Sequence, residues 1–412
     1  MKEYGLIGEK LGHSFSREIH NMIGRYDYEL IELAPAELED FLRRREFRAV
    51  NVTIPYKKAV IPFLDSLTAE AAEIGAVNCI RNEGGRLVGH NTDFAGLRAL
   101  LAHAGAELSG RKVLILGTGG TSDTAAAVCR SLGAGQIFKV SRSGRQGALS
   151  YEQALREHND AQVILNTTPC GMYPHIAESP LAPEAFAALE SVIDVIYNPL
   201  ASMLVLAARQ RGARAEGGLY MLVAQAVFAA EFFLQEKLPA GLTEEIYRRL
   251  LRQKSNIVLT GMPSSGKSAI GRLVANKLGR RFYDIDALVE EEAGMSIAEI
   301  FRRDGEAEFR RRESAAAARL AACNGIVIAT GGGTVIDPQN ARLLAMNGRL
   351  YFLDRPLALL TPTSDRPTAS DRRQLQKRYE ERYDIYRSTA DVTVVNDGTR
   401  RQAAEKILED YR

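Results

Sequence analysis

Residues 256–271 read NIVLTGMPSSGKSAIG. NIVLT has the make-up of a buried strand, and the following AIGRLVANKLG carries apolar residues at helical spacing. Between them Gly261, Gly266, Lys267 and Ser268 fit G-x-x-x-x-G-K-[ST]. Strand, glycine-rich loop and helix in that order place backbone N–H groups and a helix N-terminus around an anion. The reading is a phosphate loop on a parallel α/β sheet. Gly261, Ser264, Ser265 and Gly266 surround the phosphates of ATP, Lys267 neutralises the β and γ groups, and the Ser268 hydroxyl ligates Mg²⁺. A GTPase needs an N-K-x-D base reader, which NKLG at 276–279 does not supply. The short block from 254 to 412 points to a kinase of small metabolites.

A second glycine-rich turn, GTGGTS at 117–122, lies between the strand-like KVLILG and the helical DTAAAVCRSLGA. Gly117, Gly119, Gly120 and Thr121 fit a dinucleotide turn, although Ser122 stands where the last glycine is usual. The next strand, QIFKV, ends in SRSGR: Ser141, Arg142 and Arg145 with no carboxylate. An acid there would hold the ribose of NAD, whereas arginine accepts the 2′-phosphate, so NADP(H) is expected.

Short polar groups cluster before this turn. Ser14 and Ser16 are two apart, which in an extended loop puts both hydroxyls on one side. NVTIPYKK brings Lys57 to a turn, GAVN supplies Asn78, and GHNTD supplies Asn91 and Asp93. Each alone reads as turn-making. Together they suit a small polyhydroxylated acid, with Lys57 and Asp93 sharing proton transfer.

The kinase block needs an acceptor site. FYDID offers Asp284 and Asp286 on one face of a strand end, for Mg²⁺ and an acceptor hydroxyl, or else as helix caps. Arg310 in EFRRRE and Arg382 in ERYDIYR suit a carboxylate, which guanidinium binds bidentately. ATGGGT allows a ligand close to the backbone.

The chain has 412 residues, enough for two or three domains, and a net charge of +2 that gives no general case for nucleic acid. The runs Arg43–Arg45 and Arg310–Arg312 read as solvated helix faces. Cys79, Cys129, Cys170 and Cys323 form no C-x-x-C pair, so reduced thiols in the cytoplasm are expected. Neither a signal segment nor an apolar run of about 18 residues is evident, which argues against a membrane. Oligomer formation is left open. Pro239, Gly241 and the charged EEIYRRLLRQKSN read as a linker, with a boundary near 253.

With these residues in view, positions 1 to about 250 resemble the shikimate dehydrogenases, through SFS, NVTIPYK, GAVN, GHNTD, GTGGTS, NTTPCGM, DVIYNP and GGLYMLVAQA. The resemblance implies Lys57 and Asp93 as catalytic pair and Ser14 and Ser16 on the substrate carboxylate. It implies Thr53, Asn78, Asn91, Tyr197 and Gln225 around the ring hydroxyls, with Thr167, Met172 and Gly218 near the cofactor. Phe94 departs from a usual glycine, and Asp123 brings a carboxylate near the phosphates. Positions 254–412 resemble the shikimate kinases. That implies Asp286 on the acceptor hydroxyls, Arg310 and Arg382 with Gly331, Gly332 and Gly333 around the carboxylate, Asp284 near Mg²⁺, and Arg366 in a short lid.

The expected architecture is an α/β substrate domain (1–105 plus a returning helix in 219–250), a Rossmann-like NADP domain (106–218) and a P-loop kinase domain with a parallel sheet (254–412). The expected function is reduction of 3-dehydroshikimate with NADPH, then ATP-dependent phosphorylation of shikimate. A quinate- and NAD-preferring first half, or one half kept as a non-catalytic nucleotide-binding module, are the alternatives.

Overall fold

The structure is a computed structural model that describes residues 3–12, 14–144, 147–361 and 372–411. Arg145 and Arg366 lie outside the described residues. The chain divides into two compact units. The first comprises Met1–Met172, Glu178–Asn198 and Leu204–Leu250; the second comprises Tyr173–Ala177, Pro199–Met203 and Leu251–Arg412.

The first unit holds two sheets. One is formed by β1 (Tyr4–Gly8), β2 (Glu29–Glu32), β3 (Ala49–Val52), β4 (Ser66–Leu67), β5 (Cys79–Glu83) and β6 (Arg86–His90), in the order β2-β1-β3-β5-β6-β4. β1, β2 and β3 are parallel, while β5 runs antiparallel to β3 and pairs antiparallel with β6 in a hairpin. Side chains alternate across this sheet as strand geometry demands. Ile7, Val50 and Ile80 face one core, and Leu6, Ala49 and Cys79 face another. Ala229 and Phe233 of the helix Leu219–Leu234 close the second core, so the chain returns to its first sheet. Gly96, in the helix Asp93–His103, meets this returning helix so closely that a Cβ there would lie 3.0 Å from Gln225 Cβ.

The other sheet of the unit contains β7 (Lys112–Leu116), β8 (Gln136–Val140), β9 (Val163–Asn166), β10 (Ser191–Asp194) and β11 (Arg214–Glu216), all parallel, in the order β8-β7-β9-β10-β11. β8 and β9 lie on opposite sides of β7. Such a switch opens a crevice at the carboxyl ends of the strands, where ligands bind in doubly wound folds.

The second unit has β12 (Asn256–Thr260), β13 (Phe282–Asp284), β14 (Val327–Ala329), β15 (Gly348–Asp354) and β16 (Val392–Val395), again all parallel, in the order β13-β14-β12-β15-β16. β12 is central and buried throughout, as its unbroken apolar run requires.

The stretch read as a linker is instead the helix Leu242–Lys254. Its Ile246, Tyr247 and Leu250 recur at three- and four-residue spacing and are buried, so the charges form only its outer face. Arg43 and Arg44 end the helix Leu38–Arg44 in solvent, as a charged helix face should.

Candidate active sites

In the first unit Asp93 opens the helix Asp93–His103, and Lys57 follows β3 on the turn after Pro55. Lys57 Nζ and Asp93 Oδ2 are 2.6 Å apart, with side chains 25% and 6% exposed. Asn78 Nδ2 donates to Asp93 Oδ1 at 2.9 Å, and Asn78 Oδ1 accepts from Thr92 N at 2.8 Å. Asn91 Oδ1 accepts from Asp93 N at 2.9 Å, while Asn91 Nδ2 donates to Ala76 O. Asn78 therefore holds the Asp93 carboxylate and Asn91 holds its backbone. Phe94, in place of the usual glycine, packs against the apolar cluster around Leu97.

Ser14 and Ser16 do come together, with hydroxyls 3.1 Å apart, but not in an extended loop. Ser16 begins the helix Ser16–Ile23 and its N–H donates to Ser14 Oγ. The free N–H groups of a helix start draw the serine side chains to the turn, and that overrides the two-residue alternation. Phe15 between them packs at a tilt against Tyr197, ring centroids 5.3 Å apart and planes 57° from parallel. Burial pushes the Tyr197 phenol above its ordinary value. Thr53 follows β3, lying so near Gly8 that a Cβ there would meet Thr53 Cγ2 at 2.7 Å.

The dinucleotide turn follows β7. Gly117 has φ +115°, a conformation that glycine takes at no steric cost. Beside it Thr167 Oγ1 donates to Leu116 O at 2.6 Å, which ties the end of β9 to that of β7. Ser122 fills the place of the missing glycine: it is buried, and its hydroxyl donates to Gly117 O at 2.7 Å. Gly119 and Gly120 have open space where a Cβ would stand, and they lie at the start of the helix Gly120–Ser131. Asp123 does not present a bare charge, since Lys139 Nζ lies 2.6 Å from its Oδ1. Ser141 N–H bonds Leu149 O, and the exposed Arg142 has no carboxylate partner among the described residues. Met172 is exposed past the turn after β9. Gly218 N–H donates to Ile196 O at 2.7 Å, and a Cβ at Gly218 would strike Val195 O at 2.1 Å, so only glycine fits.

In the second unit Gly261 (φ +137°), Ser264 (+65°) and Gly266 (+90°) curl the loop over the helix Lys267–Leu278. Lys267 is buried and its Nζ donates to Gly261 O at 2.8 Å and Met262 O at 3.0 Å. Ser264 Oγ donates to Thr361 O, and Ser265 O accepts from Asn396 Nδ2 at 2.6 Å. Ser268 Oγ donates to Asp284 Oδ2. The two aspartates do not share a strand face. Asp284 ends β13 and caps the helix Ile285–Ala293, accepting from Asp286 N, while Asp286 lies in the first helical turn. The unsatisfied N–H groups of that helix set the aspartate's direction.

Asp286, Arg310 and Arg382 meet Gly332 and Gly333 around one pocket. A Cβ on Gly331 would lie 2.5 Å from Asp286 Oδ1, and one on Gly333 would lie 2.1 Å from Arg310 Nη1. Arg382 Nη1 donates to Gly332 O at 2.8 Å. The site contains residues that the sequence reading missed. Glu313, 1% exposed, accepts from Arg310 Nη1 at 2.7 Å and from Thr334 Oγ1 at 2.7 Å. Tyr386 donates to Gly332 O. Both follow a chosen arginine at helical spacing, by three and four residues, and that was the available signal.

These two sites define a nucleotide-dependent dehydrogenase of small hydroxylated acids, followed in the same chain by a phosphate-loop kinase. Family models match as "Shikimate dehydrogenase substrate binding domain" over residues 6–80 and "Shikimate kinase" over 263–412. The shikimate dehydrogenase (NADP(+)) of Halothermothrix orenii is 37% identical over 278 residues, which span 60% of this chain and 94% of that protein. Shikimate dehydrogenase 1 from Peptoclostridium difficile superposes with a TM-score of 0.57 at 32% identity, over 61% of this chain and 98% of that one. The enzyme from Thermus thermophilus, solved with NADP(H) and shikimate, gives 0.55 at 29%, over 60% and 99%. The chain belongs to the shikimate dehydrogenase family and continues into a shikimate kinase domain, which makes it a bifunctional enzyme of the shikimate pathway. The quinate- and NAD-preferring alternative and the non-catalytic one are not favoured. Among the described residues no helix is long and apolar enough to cross a membrane, and all four cysteines are free.

Proposed function

We propose that residues 1–105 with 219–250 bind 3-dehydroshikimate, residues 106–218 bind NADPH, and residues 254–412 phosphorylate the resulting shikimate at its 3-hydroxyl. The observation that carries this reading is the partly buried Lys57–Asp93 pair in a chain whose second unit sets Asp286, Arg310 and Arg382 on one glycine turn. A ketone reductase needs a proton donor, and a kinase of an acidic alcohol needs a carboxylate clamp beside an aspartate.

NADPH, when bound, supplies the hydride. Its fit rests on the open space over Gly119 and Gly120, the helix N-terminus, the exposed Arg142 for the 2′-phosphate and the neutralisation of Asp123 by Lys139. Lys57 Nζ gives its proton to the ketone oxygen as charge develops there. Asp93 Oδ2 stabilises the ammonium beforehand and takes part in returning the proton from solvent. Ser14 and Ser16 hold the substrate carboxylate, and Thr53, Asn78, Asn91, Tyr197 and Gln225 line its ring.

In the second unit the loop from Gly261 to Ser268 cradles ATP. Lys267 leaves its loop carbonyls for the β- and γ-phosphates. Ser268 Oγ and Asp284 Oδ2 form the oxygen pair that fits Mg²⁺, a cation of oxygen ligands that screens phosphate charge. Asp286 orients the acceptor hydroxyl, and Arg310 and Arg382 hold the carboxylate. The enzyme acts in the cytoplasm on small molecules.

The test is one cuvette holding the whole chain. NADPH absorbance should fall on addition of 3-dehydroshikimate, and ADP should appear once ATP and Mg²⁺ join, only where the ketone was supplied. Oxidation of NADPH without ADP would refute the kinase half. A rate with NADH and quinate that exceeds the NADPH rate would refute the first half.

A further inference from the structure

The three glycines at 331–333 carry no side chains of their own, yet Arg310, Asp286 and Arg382 all gather on them. Something else must hold this turn. Gly332 O receives two donors, Arg382 Nη1 at 2.8 Å and the Tyr386 hydroxyl. Both come from the helix Arg372–Thr389, four residues apart, so both side chains leave one face. Tyr386 is fully buried, and its ring stacks on Phe352 with centroids 5.5 Å apart and planes 21° from parallel. Phe352 belongs to β15, which pairs with the central strand β12. The phenol is thus anchored to the sheet, whereas Arg382 is only partly covered. On its other side Gly332 lies against the phosphate loop, where a Cβ would touch Pro263 Cγ at 3.0 Å.

We infer that Tyr386 is a positioning residue of the kinase site. Its hydroxyl fixes the Gly332 carbonyl, and with it the plane in which the Arg382 guanidinium meets the acceptor's carboxylate. This rests on the kinase reading above. Arg382 has one nitrogen on Gly332 O and lines the pocket with Asp286 and Arg310. Without the phenol the carbonyl has one donor in place of two, the peptide rotates, and the guanidinium follows it. The aromatic ring contributes packing, and the hydroxyl contributes orientation.

The experiment compares wild type with Tyr386→Phe, which keeps the ring, in the full chain. Rates are measured with shikimate and with its methyl ester, which lacks the carboxylate charge. The variant should raise the KM for shikimate about tenfold, on the order of one hydrogen bond, with the KM for ATP unchanged. With the methyl ester the two proteins should differ by less than about twofold, because the guanidinium–carboxylate contact is missing from both. In an Arg382→Ala background, Tyr386→Phe should cost nothing more. An unchanged shikimate KM overturns the inference. So does an equal loss with acid and ester, or a rise in the ATP KM with a lowered melting temperature, since either marks a purely structural role. If wild type releases no ADP with shikimate, the kinase reading fails and takes this inference with it; activity in wild type isolates the role of Tyr386.

Discussion

Gly333→Ala tests the geometry of the kinase pocket. Gly333 has φ −113° and ψ −13°, which alanine adopts freely, so backbone strain does not enter. The added Cβ would lie 2.1 Å from Arg310 Nη1 and 2.7 Å from its Cζ. Ordinary contact begins at 3.4 Å, so the guanidinium must retreat by about 1.3 Å. It cannot do so freely. Its Nη1 is bonded to Glu313 at 2.7 Å, and Glu313 is buried and also bonded by Thr334. A retreat of this size breaks the ion pair and withdraws the guanidinium from its place in the pocket. Misplacement of a binding group by about 1 Å costs on the order of 10²-fold in rate. The assay is kcat/KM for shikimate with ADP detection in the full chain, with NADPH-dependent reduction as an internal control. Gly333→Ala should lose about 10²-fold in the kinase and less than about twofold in the reductase. The double variant Arg310→Ala, Gly333→Ala should be no worse than Arg310→Ala alone. A Gly333→Ala enzyme within about threefold of wild type would refute the reasoning, as would additive losses in the double variant.

Lys57→Met should lower reductase kcat by about 10²–10⁴-fold without altering ADP release from added shikimate; equal loss of both activities would count against the assignment. Lys267→Met should do the reverse, abolishing ADP release while NADPH oxidation continues. Arg142→Ala should weaken NADPH by about ten- to a hundredfold and leave NADH unaffected, read from the two KM values. Stability should fall in acid because of His20. Burial holds this imidazole down to about 3 from an ordinary 6.5, so the folded chain keeps it neutral while the unfolded chain takes up a proton below 6.5. The loss should reach about 2 kcal/mol by pH 5, seen in denaturant unfolding of the first unit, and His20→Gln should flatten that slope.

The sequence by itself determined the two nucleotide loops, because each depends on neighbours in the chain: a strand, glycines at set positions and a helix start. It also singled out Lys57 and Asp93, which the fold pairs, and Asp286, Arg310 and Arg382, which the fold brings around one pocket. Local rules erred where two of them competed. Ser14 and Ser16 followed the helix start and not the extended alternation, and Asp284 followed the cap. The charged stretch after Gly241 was a helix because three buried residues on one stripe outweigh polar composition. Only the tertiary structure decided the partners. That Lys139 neutralises Asp123 depends on strand β8 lying beside the helix after β7, and no spacing in the chain reports it. That Glu313 and Tyr386 hold the glycine turn depends on two helices and a strand end converging from residues 305 to 389. A motif names the groups that touch a ligand. The groups that hold them still are found by packing, which joins residues far apart in sequence and so leaves no periodic trace in it.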